Sequence, residues 1–169
     1  MIQVALMSLV EAGHMEWQGS LRKTYDKYLH PDVLDRTTEE MWNKFKRGEV
    51  ISAFQFETQQ GTQAVKLIQP SSVVETAAAN TLMRLMVEGD GAEQPMDMYV
   101  RYKANIQEWY DDMVEFGLNE EEIKILEEHL LHDYGVCNTQ ESMMMLSMDK
   151  RISNFNVVES NNLRKAVAK

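Results

Sequence analysis

The stretch LNEEEIKILEEHLLHDYG, residues 118–135, carries the pattern that decides the fold class. Asn119 is a preferred helix-capping residue, and Glu122 three positions later completes a capping box. The acids after the cap favour a helix start, because anions interact well with the unpaired amides there. The apolar residues then recur at helical spacing, at Ile123, Leu126 and Leu130. Gly135 is a usual stop signal, so the stretch predicts an amphipathic helix.

Similar patterns recur along most of the chain. Further helices are expected over residues 2–13, 37–48, 71–86, 106–117, 139–148 and 157–169. The first of them is expected to be short and buried, and residues 106–117 are expected to form a helical hairpin with the stretch above. Only residues 49–56 have strand-like content, which is too little for a sheet. The prediction is an all-α, mainly helical protein with little or no sheet.

Helix starts and one interruption can also be placed. Thr37 or Thr38 is the expected N-cap of the second segment, and Ser71 or Ser72 is the expected boundary after Pro70. The stretch VEGDGAEQP, residues 87–95, breaks the helical pattern with glycines, acids and a proline. It is the candidate hinge between two lobes.

Composition narrows the class of protein. The chain has 169 residues, a net charge of −10 and one cysteine, Cys137, which cannot form an internal disulfide. No apolar run approaches the length of a membrane span, so a cytoplasmic protein without a membrane segment is predicted. The negative charge argues against tight sequence-independent binding of DNA, because that affinity comes from lysine and arginine.

Two histidine patterns are candidate metal sites. Glu11 and His14 have the E-x-x-H spacing of di-iron bundles, but no second such pair exists, so a metal site is not predicted there. His129 and His132 lie one turn apart, and zinc would need a further ligand such as Asp133 or Glu128. Solvated histidines at a helix end are the favoured interpretation.

Charge is distributed unevenly along the chain. Six acids between residues 119 and 133 could hold a metal pair, but anions are favoured at a helix start, and a solvated helix start is the favoured interpretation. The last twenty residues contain one acid, Glu159, and five bases: Lys150, Arg151, Arg164, Lys165 and Lys169. The last three bases could present two or three cations to a polyphosphate, or simply complement the carboxyl end of a helix.

Three blocks resemble one protein family. EVISAFQFETQQGTQAVKLIQPSS, residues 49–72, resembles the G-V-F-Q-F-E-S-x-G-M and L-K-P-x-S segment of C-family bacterial replicative DNA polymerases, the polymerase III alpha subunit. DYGVCNTQESMMMLSM, residues 133–148, is similar to T-Y-G-V-x-x-Y-Q-E-Q-V-M. NFNVVESNNLRKAVAK, residues 154–169, is similar to G-Y-S-L-x-E-A-D-x-L-R-R-A-M-G-K. The blocks occur in the family's order.

The resemblance implies a fingers-type helical domain of a DNA-dependent DNA polymerase. Residues 1–60 would be palm-proximal helices and an elbow, and residues 61–169 would be fingers helices. The family's catalytic aspartates lie outside the resembling blocks, so no catalytic residue and no metal ligand is expected here. The chain is then expected to be an excised piece that is inactive alone. The parent polymerase is expected to use Mg²⁺, to bind template-primer DNA and dNTP, and to dock this part on the palm of the same chain.

The resemblance also assigns roles to residues. Arg164, Lys165 and Lys169 would contact the phosphates of the incoming nucleotide, and Gln140 and Glu141 would have a positioning role. Four residues would fix the junction between palm and fingers: Phe54, Gln55, Phe56 and Glu57. In that junction the two aromatic rings are expected to be buried, and Gln55 and Glu57 are expected to form hydrogen bonds.

Departures from the family pattern suggest a divergent relative. VEGDGAEQP stands in place of an R-P-G-P loop, and Lys165 stands for an arginine whose planar fork it cannot copy. A bacteriophage or mobile-element origin is the hypothesis that follows. The rival hypothesis is a non-catalytic interaction module, derived from or mimicking the polymerase fingers, that binds a replication protein through its acidic face.

Overall fold

A computed structural model describes residues 2–33, 39–85 and 93–167. The helices of these ranges, in chain order, are α1 (Ile2–Glu11), α2 (Leu21–Tyr28), α3 (Glu39–Lys46), α4 (Gln59–Ile68), α5 (Val73–Leu82), α6 (Pro95–Ala104), α7 (Gln107–Glu115), α8 (Glu120–Leu130), α9 (Gln140–Met148) and α10 (Val157–Val167). A 3₁₀ turn, Leu131–Asp133, follows α8. The described ranges contain no strand, so the all-α prediction is confirmed. No helix within them is both long and apolar enough to cross a membrane.

Local capping signals fix several helix starts as expected. The Asn119 side chain accepts hydrogen bonds from the backbone N–H groups of Glu121 and Glu122, at 2.9 and 3.1 Å. Glu122 completes the capping box by accepting from the Asn119 N–H at 2.9 Å. Ser72 caps α5 by accepting from the Glu75 N–H at 3.1 Å. The sequence signal was sufficient at these ends because both partners lie within three residues.

The core lies among α4, α5, α6 and α7. Trp109, Tyr99 and Tyr102 are its largest fully buried side chains. Tyr99 stacks edge-to-face on Tyr134, with ring centroids 5.2 Å apart. Each buried side chain of this size contributes about 1.5–3 kcal/mol to folding through the apolar surface removed from water. The core therefore joins segments that are far apart in the sequence.

One buried carboxylate, that of Glu75, ties these elements together. Its Oε2 atom accepts from the backbone N–H of Ser71 at 2.6 Å and pairs with Nζ of Lys103 at 2.8 Å. Its Oε1 atom accepts from the Tyr134 hydroxyl at 2.7 Å. Burial by itself raises the pKa of Glu75, but the hydrogen bonds from these three residues outweigh it and hold the pKa below its ordinary value of 4.5. The charged form is therefore the one that the fold stabilises.

Some sequence expectations differ from the structure. The first helix is not buried as expected. Leu6 is buried, whereas Ile2 and Val4 are exposed, because the main packing partner of α1 is a single helix, α2. The fifth helix ends at Leu82 rather than near residue 86, because Met83 already closes it as its C-cap. The expected caps at residues 37 and 38 and most of the candidate hinge at 87–95 lie outside the described residues. Residues 51–57 form turns, which agrees with the expectation that the strand-like content of this stretch is too little for a sheet.

Two glycines with the same left-handed backbone conformation give a matched pair of variants. Gly117 and Gly135 have φ of 87° and 81°. A Cβ at Gly117 would meet no atom within 4 Å, whereas one at Gly135 would overlap the ring of Trp109. Gly117→Ala is expected to cost about 1–2 kcal/mol of unfolding free energy, from the left-handed backbone alone. Gly135→Ala is expected to add about 1–3 kcal/mol for the overlap. Urea unfolding of both variants measures the difference, and equal losses would contradict the packing of Trp109 against this turn.

A second prediction concerns pH. Because the pKa of Glu75 is lower in the folded than in the unfolded chain, its carboxylate contributes stability above about pH 4.5. That contribution is lost as the pH falls through the folded pKa. Glu75→Gln is expected to cost about 1.5–3 kcal/mol at pH 7, and its difference from wild type should shrink below pH 4.5. Urea unfolding from pH 7 to 3 is the measurement. Glu120→Gln, at an exposed position in the first turn of α8, is the control. A pH-independent difference between Glu75→Gln and wild type would contradict an ionised Glu75 carboxylate in the folded chain.

Candidate functional site

The last described helix, α10, carries two of the three predicted cations, Arg164 and Lys165. The Asn156 side chain accepts from the N–H groups of Val158 and Glu159 at 2.9 and 3.1 Å. Glu159 accepts in return from the Asn156 N–H at 2.8 Å, which completes a second capping box. The hydroxyls of Ser147 and Ser160 lie 2.6 Å apart and are buried, so α9 and α10 approach closely. The start and the packing of α10 are thus both fixed.

Arg164 is held by two amide side chains. Its Nε atom donates to Oδ1 of Asn161 at 3.0 Å, one turn earlier on the same helix. Its Nη1 atom donates to Oε1 of Gln140, the first residue of α9, at 2.5 Å. Among the described residues, Nη2 of Arg164 has no hydrogen-bond partner. The guanidinium is therefore oriented by neutral groups and keeps donors for a ligand.

A cavity of about 200 Å³ lies beside this guanidinium. Its lining residues are Leu85, Cys137, Asn138, Thr139, Gln140, Met143, Arg164 and Val167. Asn138 is buried, and its Oδ1 atom has no hydrogen-bond partner within the described part of the chain. The cavity thus combines a cation with polar groups from the loop before α9.

The other predicted residues of this end are placed differently. Lys165 is exposed and does not line the cavity. Lys169 lies outside the described residues. Glu141 is exposed in the first turn of α9, where a carboxylate is favoured by the helix dipole, and its side chain contacts no partner among the described residues. The structure therefore brings Arg164 and Gln140 together, and the positioning role of Glu141 stays a prediction.

The predicted junction residues divide into buried and exposed ones. Phe56 is buried and packs edge-to-face on Phe45, with ring centroids 5.9 Å apart. Gln55 accepts from a guanidinium nitrogen of Arg84, and Glu57 accepts from the Ser52 N–H at 2.6 Å. Both hydrogen bonds agree with expectation. The expected burial of Phe54 is wrong: its side chain is 82% exposed, because the turn directs Phe56 inward and Phe54 outward.

The histidine patterns do not form metal sites in the described ranges. No group of three or more histidine, cysteine, aspartate or glutamate residues there could hold a metal ion. His129 is not a solvated helix-end histidine as expected: it is largely covered, and its Nε2 atom lies 2.8 Å from Oδ2 of Asp149. Hydrogen bonds from Arg151, and then from His129, hold the pKa of Asp149 well below its ordinary range. His132 is exposed, as are Glu11 and His14.

The sequence did not predict the hydrogen-bond partners of Arg164 and Arg84. Asn161 could have been found from its position three residues before Arg164, since that spacing places both side chains on one helix face. Arg84 pairs with Gln55 across 29 residues, and no local pattern signals that contact.

Fold and site define a helical domain with an arginine-lined cavity on its last described helix. Residues 15–169 match the family described as "Bacterial DNA polymerase III alpha subunit finger domain", and the chain belongs to that family. The resemblance to C-family polymerases is confirmed. The chain is 48% identical over 168 residues to "Probable DNA polymerase YorL" of Bacillus subtilis (strain 168). It is equally similar to "DNA-directed DNA polymerase" of Bacillus phage SPbeta.

Each of these alignments covers 99% of this chain but 13% of the relative. The chain therefore corresponds to a small part of the length of either protein. No solved structure matches the chain.

Proposed function

We propose that this chain is the fingers part of a DNA-dependent DNA polymerase and helps to bind the incoming dNTP and the template. Family membership supports the fingers assignment, and both similar proteins are named as DNA polymerases. The observation that carries the site proposal is the amide-held guanidinium of Arg164 beside a cavity. The parent polymerase would act in DNA replication in the cytoplasm.

Arg164 is the proposed phosphate contact. A guanidinium binds phosphate oxygens through paired N–H donors, and its charge strengthens each hydrogen bond. Gln140 and Asn161 fix the plane of the group without neutralising it. Because the orientation is set before the ligand arrives, binding a triphosphate costs less side-chain entropy. Lys165 and Lys169 are proposed as further phosphate contacts, on the strength of the family resemblance.

The reacting groups are proposed to lie elsewhere in the parent polymerase. Magnesium ions there would orient the phosphates and stabilise the charge of the transferring group. No group of described residues forms a metal-binding set. The contribution that we propose for this chain is to hold and orient the nucleotide. We propose residues 1–60 as the palm-proximal part and residues 61–169 as the fingers part. The rival interaction module is not favoured, because both similar proteins are much longer polymerases.

Nucleotide kinetics test the role of Arg164. In the parent polymerase, Arg164→Ala is expected to raise the apparent KM for dNTP or to lower kcat by about tenfold or more, since a charge-assisted contact is worth about 1.5–3 kcal/mol. Gln140→Ala should give a smaller change in the same direction, because it frees the guanidinium without removing it. Primer-extension kinetics measure both variants.

The control is Arg22→Ala, which removes an arginine from an exposed ion pair with Asp26 and should leave the kinetics unchanged. Unchanged kinetics of the Arg164→Ala variant would remove this residue from the site. The 169-residue chain alone should show no nucleotidyl transfer, and transfer above background would contradict its role as a part of the enzyme.

A further inference from the structure

The turn of residues 51–57 presents two large apolar side chains to solvent. Ile51 is 93% exposed and Phe54 is 82% exposed, although neighbouring Val50 and Phe56 are buried. Phe54 is the most exposed aromatic side chain among the described residues. The turn therefore displays a ring that the described chain itself does not use for packing.

Local hydrogen bonds and close packing hold the turn of residues 51–57 in place. The Glu57 carboxylate accepts from the Ser52 N–H at 2.6 Å, and the Thr58 hydroxyl accepts from the Gly61 N–H at 3.0 Å. A Cβ on Gly61 would come within 2.6 Å of the Phe56 backbone, so helix α4 packs directly against the turn. Ser52 and Gln55 have φ near 70°, a left-handed conformation that persists only where surrounding contacts hold it.

A cation, Arg84, is hydrogen-bonded to Gln55, the residue that follows Phe54 in the chain. Arg84 donates to Oε1 of Gln55, and both line a cavity of about 400 Å³ at the amino end of α4. Within the described chain, the N–H groups of Gln59 and Gln60 have no hydrogen-bond partners, so they can donate to an anion in that cavity.

The charge of Arg84 is uncompensated by the described residues. The other arginines of those ranges, Arg164 excepted, each pair with a carboxylate: Arg22 with Asp26, Arg47 with Glu49, Arg101 with Glu93 and Asp112, and Arg151 with Asp149 and Glu128. Arg84 instead has a neutral amide as its partner. An apolar protein surface would complement the ring but not this cation, whereas a nucleotide complements both.

We infer that the turn is a stacking platform for an unpaired base of single-stranded DNA, with Phe54 under the base and an adjoining phosphate in the Arg84 cavity. This inference rests on the proposed polymerase function and deepens it by naming a contact for the template strand. Stacking carries much of the affinity, because a chain of net charge −10 gains little from general attraction to phosphates.

The test is binding of a fluorescein-labelled dT12 oligonucleotide to the 169-residue chain, followed by anisotropy at low salt. Phe54→Ala and Phe54→Leu are expected to weaken binding about tenfold or more, because both remove the aromatic face. Phe54→Trp should bind at least as tightly as wild type, and its added tryptophan fluorescence should be quenched by unlabelled oligonucleotide. Arg84→Gln should weaken binding and flatten its salt dependence.

Phe116→Ala is the matched control, since Phe116 is also largely exposed but follows α7 at a different turn. It should bind the oligonucleotide like wild type. Absence of measurable binding by the wild-type chain, or equal affinity of the Ala, Leu and Trp variants, would overturn the platform. Retained affinity in Phe54→Leu alone would also overturn it, because a generic apolar contact would then suffice. Those results would leave the dNTP role of Arg164 intact, since that role is measured separately by primer-extension kinetics.

Discussion

The structure depends on one ion pair, between the buried carboxylate of Glu75 and the partly buried ammonium group of Lys103. Glu75 joins the start of α5 to Tyr134, which follows the 3₁₀ turn. Lys103, on α6, also donates to the backbone carbonyls of Ile68 and Gln69, the groups that the end of α4 leaves unpaired. Removing a charge from water is costly, and here several hydrogen bonds to each partner offset that cost. The pair therefore fixes where three helices and a distant turn meet.

The segment from Tyr134 to Gln140 connects this ion pair to the candidate site. Tyr134 donates to Glu75, and Gly135 packs its backbone on Trp109. The next residues supply the cavity wall, ending in Gln140 at the start of α9. Burial, and then the hydrogen bond to Glu75, raise the pKa of Tyr134 to about 12, so its hydroxyl stays a donor at neutral pH. The position of Gln140, and with it the orientation of Arg164, follows from an anchor in the core.

The sequence predicted what depends on neighbours in the chain and missed what depends on distant ones. The capping box of Asn119 and Glu122 spans three residues, and the helix class follows from apolar spacing. The burial of Phe56 but not Phe54 could not be predicted, since it depends on a turn with two left-handed residues. The burial of Glu75 and the cover over His129 arise from partners 20 or more residues away. A carboxylate or imidazole on a helix gives no local sign of such partners.

Two glutamines of the family-like blocks, Gln55 and Gln140, share one physical role. Gln55 and Gln140 each accept, through Oε1, a hydrogen bond from one arm of an arginine. A glutamate in either place would hold the guanidinium more strongly, but it would also cancel the charge that an anionic ligand needs. An amide sets the direction of the guanidinium and leaves that charge available. Arginines that only stabilise the fold have no such requirement, and Arg101, held between Glu93 and Asp112, illustrates the contrast. Neutral partners therefore separate Arg84 and Arg164, for which we propose anionic ligands, from the arginines that pair with carboxylates.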